Sequence, residues 1–315
     1  YYFLPDGTMG TNIWNNMRFY GEDGTDVPDY VNENWEEDKN GWKMKGEDGK
    51  YLTDQWYFLE GQWYLFSKQG YRLDGWQKVG AAWYHLNEIG QMDIGWSEID
   101  GNWYYFNEIG QMQTGWREID GTWYYLNSAG QRVIGWQLLD GAYYFFNAEG
   151  KMLTGWFYQG GYWYYTDPDG KMAAGWRFIN NNWYFLNASG HMVSGWLQLG
   201  NFKYYLNASG AMTTGWQTIG NQFYYFSESG IMQTGWRDID GKRYYLAPED
   251  GHLWFGWLTL SDGSRYYCSA DGSLTYGWLG PYYLAPEDGH MVTGDYVIDG
   301  VTYRFGSDGI LIGTV

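Results

Sequence analysis

An all-β solenoid of stacked hairpins is the fold this sequence predicts, on three observations. Tryptophans recur 20 or 21 residues apart along all 315 residues, turn-forming pairs such as Asp120-Gly121 separate short aromatic runs, and aromatics make up 22% of a chain that also holds 47 Gly. A fixed period of this size marks a repeat architecture, in which a unit too small to bury its own apolar face must stack on its neighbours.

The unit is clearest from Gly115 to Gly135, GWREIDGTWYYLNSAGQRVIG. Asp-Gly between two apolar runs is a strong signal for a two-residue type I′ turn, because both central residues need positive φ. Pairing across that turn sets Ile119 against Thr122, Glu118 against Trp123, Arg117 against Tyr124 and Trp116 against Tyr125. Opposed residues share a face and successive pairs alternate. One face then carries Trp116, Trp123 and Tyr125, and the other Ile119, Tyr124 and Leu126. We assign the Ile/Tyr/Leu face to a core and the Trp/Trp/Tyr face to a bound guest.

In chain order, residues 1–74 are divergent N-terminal repeats: Tyr1 to Gly10 reads as half a repeat, and Trp14 and Trp35 open units with acidic loops, Gly21-Glu22-Asp23-Gly24 and Gly46-Glu47-Asp48-Gly49. A start inside a repeat suggests a piece of a longer protein. Residues 75–245 are regular, with turns at Asp100-Gly101, Asp140-Gly141, Gly160-Gly161, Asn180-Asn181 and Asp240-Gly241, a loop glycine every 20 residues from Gly90 to Gly230, and a methionine two positions after most of these. Residues 246–315 diverge again, and Gly294-Asp295 replaces Gly-Trp in what reads as a capping unit. Residues 1–315 are thus expected to be one repeat array. The lone Cys268 stands where other units carry Leu or Phe, which suggests a buried thiol.

The net charge of −18 opposes a nucleic-acid partner and suits attraction of small cations. No apolar run approaches the roughly 20 residues of a membrane-spanning helix. The four His show no metal-ligand spacing, and no Ser or Cys nucleophile has a matched base, so neither metal, cofactor nor catalysis is expected.

The Gly-Trp and Trp-Tyr-Tyr runs, the Asn-x-x-Gly-x-Met loop and the 20-residue period together resemble the choline-binding repeats, also called cell-wall-binding repeats, of Gram-positive surface proteins. The resemblance implies a left-handed spiral of hairpins and choline sites between consecutive units. Each would be walled by two Trp of one hairpin and an aromatic of the next, completed by Met. It also implies an extracellular, wall-associated module held by choline or phosphocholine on teichoic acid. The related repeats of glucan-binding domains and clostridial toxin tails make a glycan the alternative ligand, and a homodimer through a terminal repeat stays open.

Carrying the pattern over unit by unit, the expected sites are Trp76, Trp83, Tyr105 and Met92; Trp96, Trp103, Tyr125 and Met112; and Trp176, Trp183, Tyr205 and Met192. Two variants are Trp136, Tyr143, Tyr165 and Met152, with Tyr for the second Trp, and Trp156, Trp163, Phe185 and Met172, with Phe for Tyr. Between Tyr125 and its neighbour Tyr124, Tyr125 is taken as the ring facing the guest. Arg132 is expected to face Trp116, Trp123 and Phe145 and to repel a cation there. Trp103→Ala is expected to weaken binding. Where Lys203, Phe223, Arg243 and Arg265 replace the second Trp, choline binding is expected to be poor, with Arg243 paired across the strands to Asp238.

Overall fold

The computed structural model describes residues 34–315, together with the backbone of three short strands, Ile13–Asn15, Arg18–Tyr20 and Asp26–Val27. The half-repeat read at Tyr1 to Gly10 and the acidic loop from Gly21 to Gly24 lie outside the described residues. The chain forms two compact units, Tyr1–Thr154 and Gly155–Val315.

Each unit is mainly a run of separate two-stranded antiparallel hairpins, and among the described residues none of the sheets closes on itself. In Gly115–Ile119 and Thr122–Leu126 the partners are Trp116 with Tyr125, Arg117 with Tyr124, Glu118 with Trp123 and Ile119 with Thr122, the register read from the sequence. The turn has φ of 51° at Asp120 and 72° at Gly121, as a type I′ turn requires. The glycine that opens the unit, Gly115, also has positive φ, 74°, a demand that the hairpin pattern alone does not announce. After the second strand, Asn127 organises the loop: its Oδ1 accepts from the backbone N–H of Ala129 and Gln131, while the Gly130 N–H donates to the Asn127 carbonyl.

The last residue of each second strand faces inward. In the first unit Phe66, Leu86, Phe106, Leu126 and Phe146 are all under 2% exposed; in the second Leu186, Leu206, Phe226, Leu246 and Leu284 are equally buried. All but Phe66, which stands beside Gln55, lie opposite the Gly of a Gly-Trp pair, so an absent side chain on one strand makes room for a large one on the other. Tyr104, Tyr124 and Tyr224 share that face and are buried too. The face assigned to a core is therefore a core.

Hairpins are joined to one another by the loops. The Met112 N–H donates to the carbonyl of Trp83 in the preceding hairpin at 2.8 Å, and the bond recurs as Met152 to Trp123, Met192 to Trp163 and Met212 to Trp183. The second unit ends in a three-stranded sheet, Gly294–Ile298, Val301–Phe305 and Leu311–Thr314. There the Trp–Tyr rung becomes Asp295 opposite Arg304, an ion pair of 2.6 Å.

Cys268 takes the place of the buried Leu or Phe and is 1% exposed, and burial pushes its thiol up to about 11 from 9.0. A thiolate is the reactive form, so a rise of this size leaves about a hundredfold less of it near pH 8. Alkylation by iodoacetamide is expected to be at least that much slower in the native protein than in urea. Equal rates, followed by mass spectrometry, would show that the second unit does not hold this position closed.

Candidate ligand-binding site

Because Trp116 and Trp123 stand two rungs apart on one face, their indoles meet at a corner, with centroids 6.1 Å apart and planes at 78°. Tyr125, on the rung of Trp116, packs against it at 5.3 Å. The following hairpin turns its opposite face toward this corner, and from it Tyr144 reaches Trp116 at 4.8 Å and 68°, with Phe146 behind at 5.7 Å. The loop bond to the Trp123 carbonyl brings in Met152 from that same following unit. How the methionine fits is shown two units back, where a Cβ at Gly130 would collide with the Met112 thioether; bare glycine backbone lets the side chain lie flat.

The corner recurs. Trp76 and Trp83 stand 6.4 Å apart at 84°, with Tyr104 at 4.8 Å from Trp76 and Met112 bonded to Trp83. Trp176 and Trp183 stand 6.4 Å apart at 87°, with Tyr204 at 5.1 Å and Met212. Trp156 and Trp163, two rungs apart on one face with Tyr184 and Met192, and Trp56 and Trp63, likewise placed with Tyr84 and Met92, complete the set. In all five the second indole is 41–46% exposed, so one wall of the corner is open to solvent.

Of the expected sites, Trp76 with Trp83 and Trp176 with Trp183 are brought into contact, and Trp96 with Trp103 and Trp156 with Trp163 stand two rungs apart on one face, but the third ring and the methionine come from elsewhere than expected. Tyr105, Tyr125, Tyr165, Phe185 and Tyr205 sit across the strand from Trp96, Trp116, Trp156, Trp176 and Trp196 of their own hairpins. The rings that reach the preceding corner are their neighbours Tyr104, Tyr124, Tyr184 and Tyr204. Strand alternation explains this: the middle tyrosine lies on the buried face, and that face packs on the tryptophans of the previous hairpin. Core and site are one interface, where the sequence reading had kept them apart. The methionine is displaced by one unit for the same reason. Met92 bonds to Trp63, Met112 to Trp83, Met152 to Trp123 and Met192 to Trp163, while Met172 lies against Gly190. Trp136 and Tyr143 form a corner of 6.5 Å and 86° in the first unit.

Arg132 moves likewise. Its N–H donates to the Trp103 carbonyl, and its guanidinium carbon lies 5.8 Å from the Trp96 ring and 5.3 Å from the Trp103 ring, with Tyr124 at 4.9 Å from Trp96. The cation therefore faces Trp96 and Trp103, and the Trp116–Trp123 corner, expected to be spoiled by it, has Met152 instead.

Farther along, the corners are altered as the sequence suggested but not featureless. Trp196, Lys203, Tyr224 and Asp250 line a recess of about 330 Å³, and Trp216, Phe223, Tyr244, Leu253 and Phe255 one of about 370 Å³. Phe255 gave no repeat signal, because it belongs to a lengthened loop. Arg243 does oppose Asp238, though at 3.9 Å, and its guanidinium lies 5.2 Å from the Trp236 ring. Among the described residues no group of three or more His, Cys, Asp or Glu is placed to hold a metal.

Such a corner suits a ligand with a compact positive charge and no hydrogen to donate: aromatic faces attract it, and nothing is asked of an acceptor. Comparison with known proteins points the same way. The family described as choline-binding repeat matches residues 94–134, 133–175, 173–214 and 213–256, and the one described as putative cell wall binding repeat matches residues 74–92. Among solved structures, CbpJ from Streptococcus pneumoniae TIGR4 is 28% identical, covering 82% of this chain and 99% of that one with a TM-score of 0.58. Choline binding protein F from Streptococcus pneumoniae is 27% identical over 76% of this chain and 98% of its own, TM-score 0.58. A second structure of choline binding protein F, obtained in the presence of a peptidoglycan analogue, is 26% identical over 82% and 98%, TM-score 0.56. No curated protein matches.

Proposed function

From the premise that this chain belongs to the choline-binding repeat family, we propose that its five Met-backed corners hold the choline of phosphocholine-bearing teichoic acid. The chain is a choline-binding module that anchors to the cell wall. The finer reading places it outside the cell on the wall surface, with whatever larger protein it serves held there by many weak sites.

The observation that carries this reading is the pair of indoles near a right angle, faced by a tyrosine of the next hairpin, with one indole half open to solvent. Cation–π attraction contributes about 0.5–2 kcal/mol per ring, so three rings supply a few kcal/mol and a single site binds at roughly millimolar strength. Glu118, on the rung of Trp123, adds negative charge beside a corner. Spaced sites engaging one polymer then raise the overall affinity without any new contact.

Retention on a tertiary-amine resin with elution by free choline is the expected result. A second reading, glycan binding, draws on Tyr158 and Phe178, which lie 5.5 and 5.2 Å from Trp163 and Trp183 and widen those corners into exposed aromatic surfaces. Elution by starch or dextran oligosaccharides, with free choline ineffective, would reverse the order.

A further inference from the structure

We propose that the Trp96–Trp103 corner carries its own cation: the Arg132 guanidinium takes the place of a bound quaternary ammonium and closes that site to choline. The proposal rests on the choline reading of the open corners and adds which corner is not one of them.

Arg132 enters by the route that methionine uses elsewhere. Its N–H bonds to the Trp103 carbonyl at 2.8 Å, as Met112 bonds to Trp83, and its stem lies on Gly150 where Met112 lies on Gly130. The side chain is longer and ends in a charge, which comes to rest near the faces of both indoles. Two further observations mark it as an occupant. Trp103 is only partly exposed, as is Trp42, where Arg72 fills the equivalent slot, whereas every second indole backed by methionine is 41–46% exposed. And among the described residues the buried side-chain polar atoms with no hydrogen-bond partner are the Nε of Arg72, Arg132 and Arg243, three arginines that all stand at corners. A buried N–H without an acceptor is unfavourable unless something else stabilises the group; a ring face under a guanidinium does so. Burial also draws the Arg132 pKa down, opposed by Tyr124, Glu149 and Glu98.

The second unit reaches the same end from another position. Arg243 and Arg265 replace the second tryptophan itself and place their guanidinium carbons 5.2 and 4.8 Å from the Trp236 and Trp257 rings. Two unrelated substitutions thus each set a cation over the first indole. In the first unit a closed corner lies between open ones at Trp76 and Trp116, so its stacking is the same with or without ligand.

The test is choline stoichiometry by isothermal titration for the wild-type chain, Arg132→Met and Trp103→Ala. Arg132→Met, which installs the residue found at positions 112 and 152, is expected to gain one site. Trp103→Ala, which the repeat pattern alone predicts to weaken binding, is expected to leave the wild-type count unchanged because Arg132 already lies over that ring. An unchanged count in a folded Arg132→Met, or a site lost in Trp103→Ala, overturns the proposal. Should Arg132→Met fail to fold by circular dichroism, the Trp103→Ala count decides alone. Absence of choline binding by the wild-type chain would instead overturn the function on which the proposal stands, a result separable from the first because it is read before any variant.

Discussion

Replacing Trp123 by alanine is expected to lower choline affinity at its corner about tenfold, while the same change at Trp103 leaves binding as it was. Both are second-strand tryptophans, and both stand two rungs from the first tryptophan of their hairpin, on the same face. The difference lies in what else enters the corner. At Trp123 it is a methionine, and the indole is 42% exposed; the ring is free to attract a guest, and removing it forfeits about 1–2 kcal/mol of cation–π energy, where 1.4 kcal/mol is a factor of ten. At Trp103 the ring is already engaged by Arg132. The measurement is a choline titration followed by tryptophan fluorescence, fitted for the number and strength of sites in each variant. Equal losses would mean that the guanidinium does not decide which corners are open, and the five-site assignment would fall with it.

Much of this was legible in the residues. The Asp120-Gly121 turn fixed the register, the register fixed the faces, and the buried stripe at Leu126 followed from alternation alone. What escaped was the relation between one hairpin and the next. Strand alternation places Tyr124 and Tyr125 on opposite faces but does not say which face meets the preceding hairpin, since both tyrosines are aromatic and either would make a wall. The structure answers with the buried one, because stacking turns the core face of each hairpin onto the tryptophans before it. The methionine was misplaced for a related cause: the bond from Met112 to Trp83 joins residues of different units, and no spacing within a unit reports it. A position whose neighbour varies between Met and Arg looks like noise in a repeat until the corner it serves is known.

Leu126→Ala is expected to act on the other half of the same interface. Leu126 is fully buried opposite Gly115, in the interior of the first unit, so truncation leaves a cavity that the facing glycine cannot fill. Comparable leucine deletions cost about 2–5 kcal/mol. In an array whose units contact mainly their neighbours, such a loss inside the run weakens coupling on both sides. Urea unfolding is therefore expected to show a lower midpoint and a first transition assignable to the first unit. Choline should recover part of the loss, because the Trp116–Trp123 corner and Tyr144 belong to consecutive hairpins and a guest between them binds only when they are stacked. At a ligand concentration 100 times Kd that linkage supplies about 2.7 kcal/mol per site. Trp123→Ala should show the reverse pattern, near-native stability without ligand and a smaller gain when choline is added. A Leu126→Ala midpoint equal to that of the wild-type chain, or a recovery by choline no different in the two variants, would separate core from site and undo the claim that they are one interface.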